Sequence, residues 1–182
     1  EAIEVDIAAK LAGRLAEVLV KEGDFCEKNQ IVAKIDTTTL SAQLKQAEAE
    51  VKRSMQARKT ALSMLEGVRS KMDLAGKELE RSNALFAKGI YTQQEHDRVR
   101  TTKQTYNAEY AAAASSVAEA ENAIEAKLAL VEMLKAEIND CMLKSPIKGR
   151  VMFRLAEPGE VMPNGGKVLT IIDLTDIYMN IY

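Results

Sequence analysis

The chain has 182 residues, room for one domain or two, and sets 25 Lys and Arg against 27 Asp and Glu. So even a balance supplies no basic stripe for nucleic acid and no acidic tail. Aromatic residues make up 4% and Trp is absent, which favours long helices over a large compact core.

No apolar run approaches the ~20 residues that span a bilayer, and no signal peptide opens the chain. The start at Glu1, without Met, suggests trimming from a longer protein, so missing targeting segments weigh little.

The first predicted elements are strands. In "GRLAEVLVKEGD" (Gly13–Asp24), Leu15, Val18 and Val20 recur up to a Glu-Gly-Asp turn, and "IVAKID" (Ile31–Asp36) comes next as a closing strand. From Leu40 to about Ala87 the spacing changes to alternating steps of three and four. Positions 44, 47, 51, 54, 58, 61, 65, 68, 72, 75, 79, 82 and 86 are apolar in ten of thirteen cases. That is the seam of a coiled coil, weakened but not broken by Gly67 and Gly76, at ~1 kcal/mol each.

The reversal is set by capping chemistry. Lys88-Gly89 reads as a helix end, with a cation in the last turn and then a residue suited to a left-handed conformation. "TQQE" (Thr92–Glu95) is a capping box, in which the Thr92 hydroxyl and Glu95 carboxylate exchange bonds with each other's amides. The connection Gly89–Tyr91 is short enough to force antiparallel helices. On the return, positions 106, 110, 113, 117, 120, 124, 127, 131, 134, 138 and 141 are apolar in ten of eleven cases. An arm of ~45 residues extends roughly 70 Å. Pro146 in "SPIKG" (Ser145–Gly149) is the predicted stop of the return helix.

The chain beyond Pro146 repeats its own beginning. "GRVMFRLAEPGE" (Gly149–Glu160) restates Gly13–Asp24 at an offset of 136, with Val151, Phe153 and Leu155 in the strand period. "VLTIID" (Val168–Asp173) restates Ile31–Asp36 at an offset of 137, so one residue is inserted before it. A unit of about 25 residues cannot bury its own apolar face. The two copies are therefore expected to pack into one β-sandwich-like module, interrupted by the hairpin.

Paired in this order around a heptad hairpin, Leu11–Asp36 and Leu143–Leu174 resemble the half-motifs of the periplasmic adaptor, or membrane fusion protein, family of bacterial tripartite export systems. The resemblance, close to the HlyD and macrolide-exporter types, covers essentially the whole chain. It implies an α+β fold in which a split lipoyl-like (biotinyl/lipoyl) β-module carries an inserted, long antiparallel coiled-coil hairpin. The expected segments are a first lipoyl half at 1–38, the hairpin at 39–142 with its tip at about 87–92, and a second half at 143–175. "DIYMNIY" (Asp176–Tyr182) resembles the truncated start of the family's β-barrel domain.

The tip adds a second match. Adaptors of the resistance-nodulation-division and macrolide-exporter types carry Arg, then Leu four positions on, then Ser seven further, as contacts to an outer-membrane duct. "RSNALFAKGIYT" (Arg81–Thr92) puts Arg81, Leu85 and Thr92 at those positions. Thr92 keeps the hydroxyl of the usual Ser and adds a methyl group. Each residue also has a structural reading: Arg81 as a solvated helix charge, Leu85 as a pin against the neighbouring helix, Thr92 as the cap. For Thr92 both roles are compatible.

Little here suggests chemistry. Lipoyl and biotinyl carriers present a modifiable Lys at an exposed turn; Lys34 sits inside the predicted strand "IVAKID", and the hairpin occupies the turn between the halves. The single His, His96, comes just after the capping box without a Cys or His neighbour and reads as a surface helix residue. The eight Met read as gap-filling core residues rather than a copper site. Cys26 and Cys141 read as small core residues, with a disulfide left open. No nucleophile–base set and no phosphate-cradling Gly loop appears, so the expectation is a non-enzyme without cofactor or metal.

The resemblance implies a periplasmic adaptor subunit that bridges an inner-membrane transporter, ATP-driven or of the resistance-nodulation-division type, and an outer-membrane channel protein met by the hairpin tip. It further implies location in the periplasm at the inner membrane of a Gram-negative bacterium, and a homo-oligomeric ring, a hexamer, with hairpins bundled into a tube. Met55 and Leu62, apolar and beside the seam, fit such lateral packing. The alternative is a non-transport coiled-coil scaffold or tether of the cell envelope.

Overall fold

Repeated residues fold into repeated strands. The computed structural model describes residues 3–173, which form β1 (Ile3–Ala8), β2 (Gly13–Val18), β3 (Phe25–Cys26), β4 (Ile31–Ile35), α1 (Thr38–Ala87), α2 (Gln93–Asp140), β5 (Met142–Lys144), β6 (Gly149–Arg154), β7 (Val161–Met162) and β8 (Lys167–Asp173). They divide into two compact units. One comprises the chain up to Gln46 and from Val131 onward, the other Ala47–Leu130.

The first unit contains two four-stranded sheets, ordered β1-β8-β6-β3 and β5-β4-β2-β7. The two halves of the repeat exchange their shortest strands. Cys26 and Phe25 of β3 pair with Gly149 and Arg150 of β6, while Met162 and Val161 of β7 pair with Gly13 and Arg14 of β2. The second pairing is the first one carried over at the repeat offset. Hydrogen bonds obey the same rule: the Val151 amide donates to the Asp24 carbonyl at 2.9 Å, and the Leu15 amide to the Glu160 carbonyl at 2.8 Å. Leu15 and Val32 from one half lie fully buried with Val151, Leu169 and Ile171 from the other. At about 1.5–3 kcal/mol for each buried aliphatic side chain, neither half holds such a core alone. Cys26 and Cys141 are both free and buried in that cluster, where burial pushes each thiol up from its ordinary value.

The opening glycine of each half is fixed by close approach. A Cβ on Gly149 would lie 2.4 Å from the Ile172 carbonyl oxygen, and one on Gly13 would lie 2.5 Å from Cγ2 of Ile35. Neither distance is tolerable, so both copies of the phrase start with Gly.

Three features depart from the sequence-based expectation. The strand period of Val151, Phe153 and Leu155 is broken by a bulge between Val151 and Phe153, matched in β2 by one between Leu15 and Glu17. The bulge turns Phe153 outward, 52% exposed, and Ala156 takes the core position instead. The return helix ends at Asp140, well short of Pro146, because Met142–Lys144 joins the sheet along β4 and buries Leu143 in the core. The methionines fill gaps at Met162, in the core, and Met72, half-buried at the seam, while Met55, Met64, Met133, Met142 and Met152 are exposed. A two-helix hairpin buries only one stripe per helix, which leaves most of its Met in solvent.

The register of β1 on β8 shifts beside the closing strand: Ile7 pairs with Leu169 and Ala8 with Lys167, so that Val168 bulges from the ladder. The Lys167 ammonium group meets the Asp6 carboxylate at 2.6 Å. Thr170 donates to the same carboxylate at 2.7 Å, and the Lys167 and Thr170 bonds hold the Asp6 carboxyl below its usual range. The stretch 176–182, read as the start of a β-barrel domain, lies outside the described residues.

The second unit is an antiparallel helical hairpin. The Arg58–Glu121 ion pair at 2.8 Å and the Asn83–His96 contact at 2.7 Å fix its register. Of the predicted seam positions on α1 only Phe86 is exposed, and all those on α2 are buried or half-buried. The polar seam member Arg58 is answered by Glu121, whereas the Ser82 hydroxyl, 2% exposed, has no partner.

Candidate functional site: the hairpin tip

Both helix ends at the tip close by local chemistry. Gly89 takes a positive φ of 71°, its amide donates to the Phe86 carbonyl at 2.9 Å, and the Ile90 amide donates to the Leu85 carbonyl at 3.0 Å. This pair of bonds satisfies the last carbonyls of α1 and requires a residue without Cβ strain at position 89. Across the connection, the Thr92 amide donates to Glu95 Oε2 at 3.0 Å and the Glu95 amide to Thr92 Oγ1 at 3.3 Å. The capping box is therefore formed. The Thr92 amide, then its hydroxyl, holds the Glu95 carboxyl below the usual range.

A third tie joins the two helices. The His96 ring stacks on Phe86 with centroids 4.8 Å apart, and its Nε2 lies 2.7 Å from Asn83 Oδ1, donating when that nitrogen carries the proton. His96 is half-buried, not the surface residue that its position in the sequence indicated. The missed signal was its position: the first turn of α2 must face the last turn of α1.

Within this frame, Arg81 is exposed and makes no hydrogen bond or ion pair. Leu85 lies one turn further along the same side of α1, half-buried. Thr92 is exposed, with its hydroxyl engaged by Glu95 at 2.8 Å. No hydrogen bond or ion pair links these three residues to one another. Sequence reasoning passed over Ile90, which is 65% exposed at the apex beside them. The tip thus offers a free guanidinium on the last two turns of α1, from Arg81, and an exposed aliphatic side chain, Ile90, on a preset loop.

Elsewhere the chemistry is sparse. Lys34 lies within β4 and pairs with Glu17 at 3.2 Å. Among the described residues, no group of three or more His, Cys, Asp and Glu is placed to hold a metal ion, and no helix is long and apolar enough to cross a membrane.

No protein-family profile matches the chain. It is 30% identical over 205 residues to the 36 kDa antigen of Helicobacter pylori, an alignment covering all of this chain and 62% of that relative. The chain therefore spans less than two thirds of its relative's length. Among solved structures, the periplasmic adaptor protein EmrA superposes with a TM-score of 0.54 at 16% identity, over 95% of this chain and 73% of that one. The soluble domain of LipC, a membrane fusion protein of a type I secretion system, gives 0.53 at 10% identity, over 94% and 100%. The resemblance carried by the paired half-motifs and the hairpin thus holds for the architecture: this chain has the fold of the membrane fusion, or periplasmic adaptor, proteins.

Proposed function

We propose that the chain is the β-module and hairpin of a periplasmic adaptor that links an inner-membrane transporter to an outer-membrane exit duct in a tripartite efflux or secretion pump. In this reading the two-sheet body is a lipoyl-like module that assembles into a ring of copies, a hexamer. The transporter, ATP-driven or of the resistance-nodulation-division type, supplies the energy, and the adaptor acts in the periplasm at the inner membrane of a Gram-negative bacterium. Arg81, Leu85 and Thr92 meet the duct.

One observation carries the reading. The two ends of the chain complete each other's sheets, and the segment between them is a stiff hairpin whose tip is preset by two caps and the His96 stack. From Ala47 to Ala87 alone α1 runs about 60 Å. A preset loop at the end of such an element is a natural binding site, and the unpaired Arg81 is available on the last two turns of α1 before it. The fold likeness to EmrA and LipC supports the assignment.

The test is photo-crosslinking in the native envelope with a reactive side chain at position 81 or 85 of the full-length protein. Capture of an outer-membrane channel protein is expected. Capture of inner-membrane or soluble proteins alone contradicts tip docking and favours a tether.

A further inference from the structure

Where the hairpin leaves the β-body, the chain forms an open cleft of about 440 Å³, within the range of small-molecule sites. Its apolar walls are Leu11 from the β1–β2 connection, Ile35 at the end of β4 and Leu40 in the first turn of α1. Glu137, in the last turn of α2, stands at its rim. All four residues belong to the first compact unit. Two backbone bonds tie the walls together: the Ile35 amide donates to the Cys141 carbonyl at 2.9 Å, and the Asp36 amide to the Arg14 carbonyl at 2.8 Å. Ile35 is buried, while Leu11 and Leu40 pack half-buried against the core and leave part of their surface facing the cleft.

Three charged side chains line the same cleft, and they are not equivalent. Arg14 and Asp36 are exposed, whereas Glu137 is half-buried. Asp36 is committed to the start of α1: its Oδ1 accepts from the Thr38 hydroxyl at 2.6 Å and the Thr38 amide at 2.9 Å. Those bonds, with a smaller contribution from the Arg14 charge, hold its carboxyl below the usual range. Arg14 thus has an ionised neighbour and open solvent around it, and both weaken its pull on an anion. The Glu137 carboxylate makes no hydrogen bond or ion pair among the described residues. Its charge reaches the Cys141 thiol, which also lines the cleft and which burial, then Asp140, then Glu137 push up. A half-buried carboxylate without a partner, set above apolar walls, is less screened than the exposed charges beside it and favours a cation.

We propose that this cleft binds an organic cation with an apolar body, its charge held by Glu137 and its hydrocarbon laid on Leu11, Ile35 and Leu40. Affinity needs both parts. A small hydrophilic cation gains little from the apolar walls, and a neutral apolar molecule leaves Glu137 unanswered. The site goes beyond the adaptor reading and does not depend on it, because it lies in the β-body and involves neither the hairpin tip nor another protein.

The experiment titrates the 182-residue chain with two ions of one shape and opposite charge, tetraphenylphosphonium and tetraphenylborate, and follows side-chain methyl groups by NMR. Tetraphenylphosphonium should shift the Leu11, Ile35 and Leu40 methyls saturably, while those of Leu19 and Leu155, exposed elsewhere on the β-body, stay in place. Tetraphenylborate should bind about tenfold more weakly or worse. Glu137→Gln keeps the side-chain shape and should weaken phosphonium binding about tenfold, removing the preference over the borate. Thr39→Lys, which adds a cation at an exposed lining position, should act in the same direction. Circular dichroism and the methyl spectrum of the β-body should be unchanged in both variants, and the parent chain's choice between the two ions tests the charge without any substitution. Absence of saturable shifts at the three cleft residues overturns the proposal. So does equal or tighter binding of the borate, which would give the cleft to anions through Arg14, and so does a Glu137→Gln chain that binds the phosphonium as well as the parent. Tip capture of an outer-membrane protein is independent of these outcomes, so this site and the adaptor reading fail separately.

Discussion

The β-body and the hairpin bury their apolar residues by different means. In the body, two copies of one motif complete each other: β3 closes on β6 and β7 on β2, and aliphatic residues from both halves reach full burial. In the hairpin, each helix hides one stripe and exposes the rest, including Met55, Met64 and Met133. A change in the body is therefore felt by both halves, whereas a change in the hairpin is felt over a turn or two. Stability should be concentrated in the body, and specificity for partners in the exposed surfaces of the hairpin.

The sharpest way to break this comparison is Gly149→Ala. The new methyl group would strike the Ile172 carbonyl, a backbone atom that cannot rotate away, so the body should lose about 3 kcal/mol in denaturant unfolding. Gly13→Ala meets only the Ile35 side chain and should cost less, about 1–2 kcal/mol. Equal losses would contradict the difference in what each glycine faces.

At the tip, Thr92→Ala removes the cap hydroxyl and should cost about 1 kcal/mol of local stability, read as faster amide exchange in the first turn of α2 with the body unaffected. Ser82→Ala should act in the opposite direction. It removes a buried hydroxyl without a partner and should raise hairpin stability by up to about 1 kcal/mol. A loss on that substitution would mean that the hydroxyl is bonded in solution.

The smallest effect is one of pH. Glu95 has a lowered folded pKa, so its contribution is fully present above the ordinary glutamate value of 4.5 and is lost as the pH falls through the folded value. Exchange protection of the Glu95 and His96 amides should decline in that acidic window, and in Glu95→Gln it should not change there.

What could be read from the sequence was local or repeated. Lys88-Gly89 and Thr92–Glu95 specify their caps through bonds to residues three to five away, so the turn was predictable. The repeat identified the two halves because each copy opens on a glycine crowded by its own closing strand, Gly13 by the Ile35 side chain and Gly149 by the Ile172 carbonyl. Cross-strand register was not legible. The bulge that exposes Phe153 depends on how β6 meets β8, and β5 becomes a strand through β4 rather than through its own three residues. Strand β1 escaped notice because its counterpart β5 is short and dissimilar. The stacking of His96 on Phe86 needed the hairpin register.

The most direct test of the closed two-half body is to remove the hairpin. The Ile35 amide donates to the Cys141 carbonyl at 2.9 Å, so a short Gly-rich linker can join Asp36 to Cys141. Nuclear Overhauser contacts in that shortened chain should place Gly13 beside Met162 and Cys26 beside Gly149, with one cooperative unfolding transition. Absence of those contacts in a chain that remains disordered or melts in two independent steps would contradict the account.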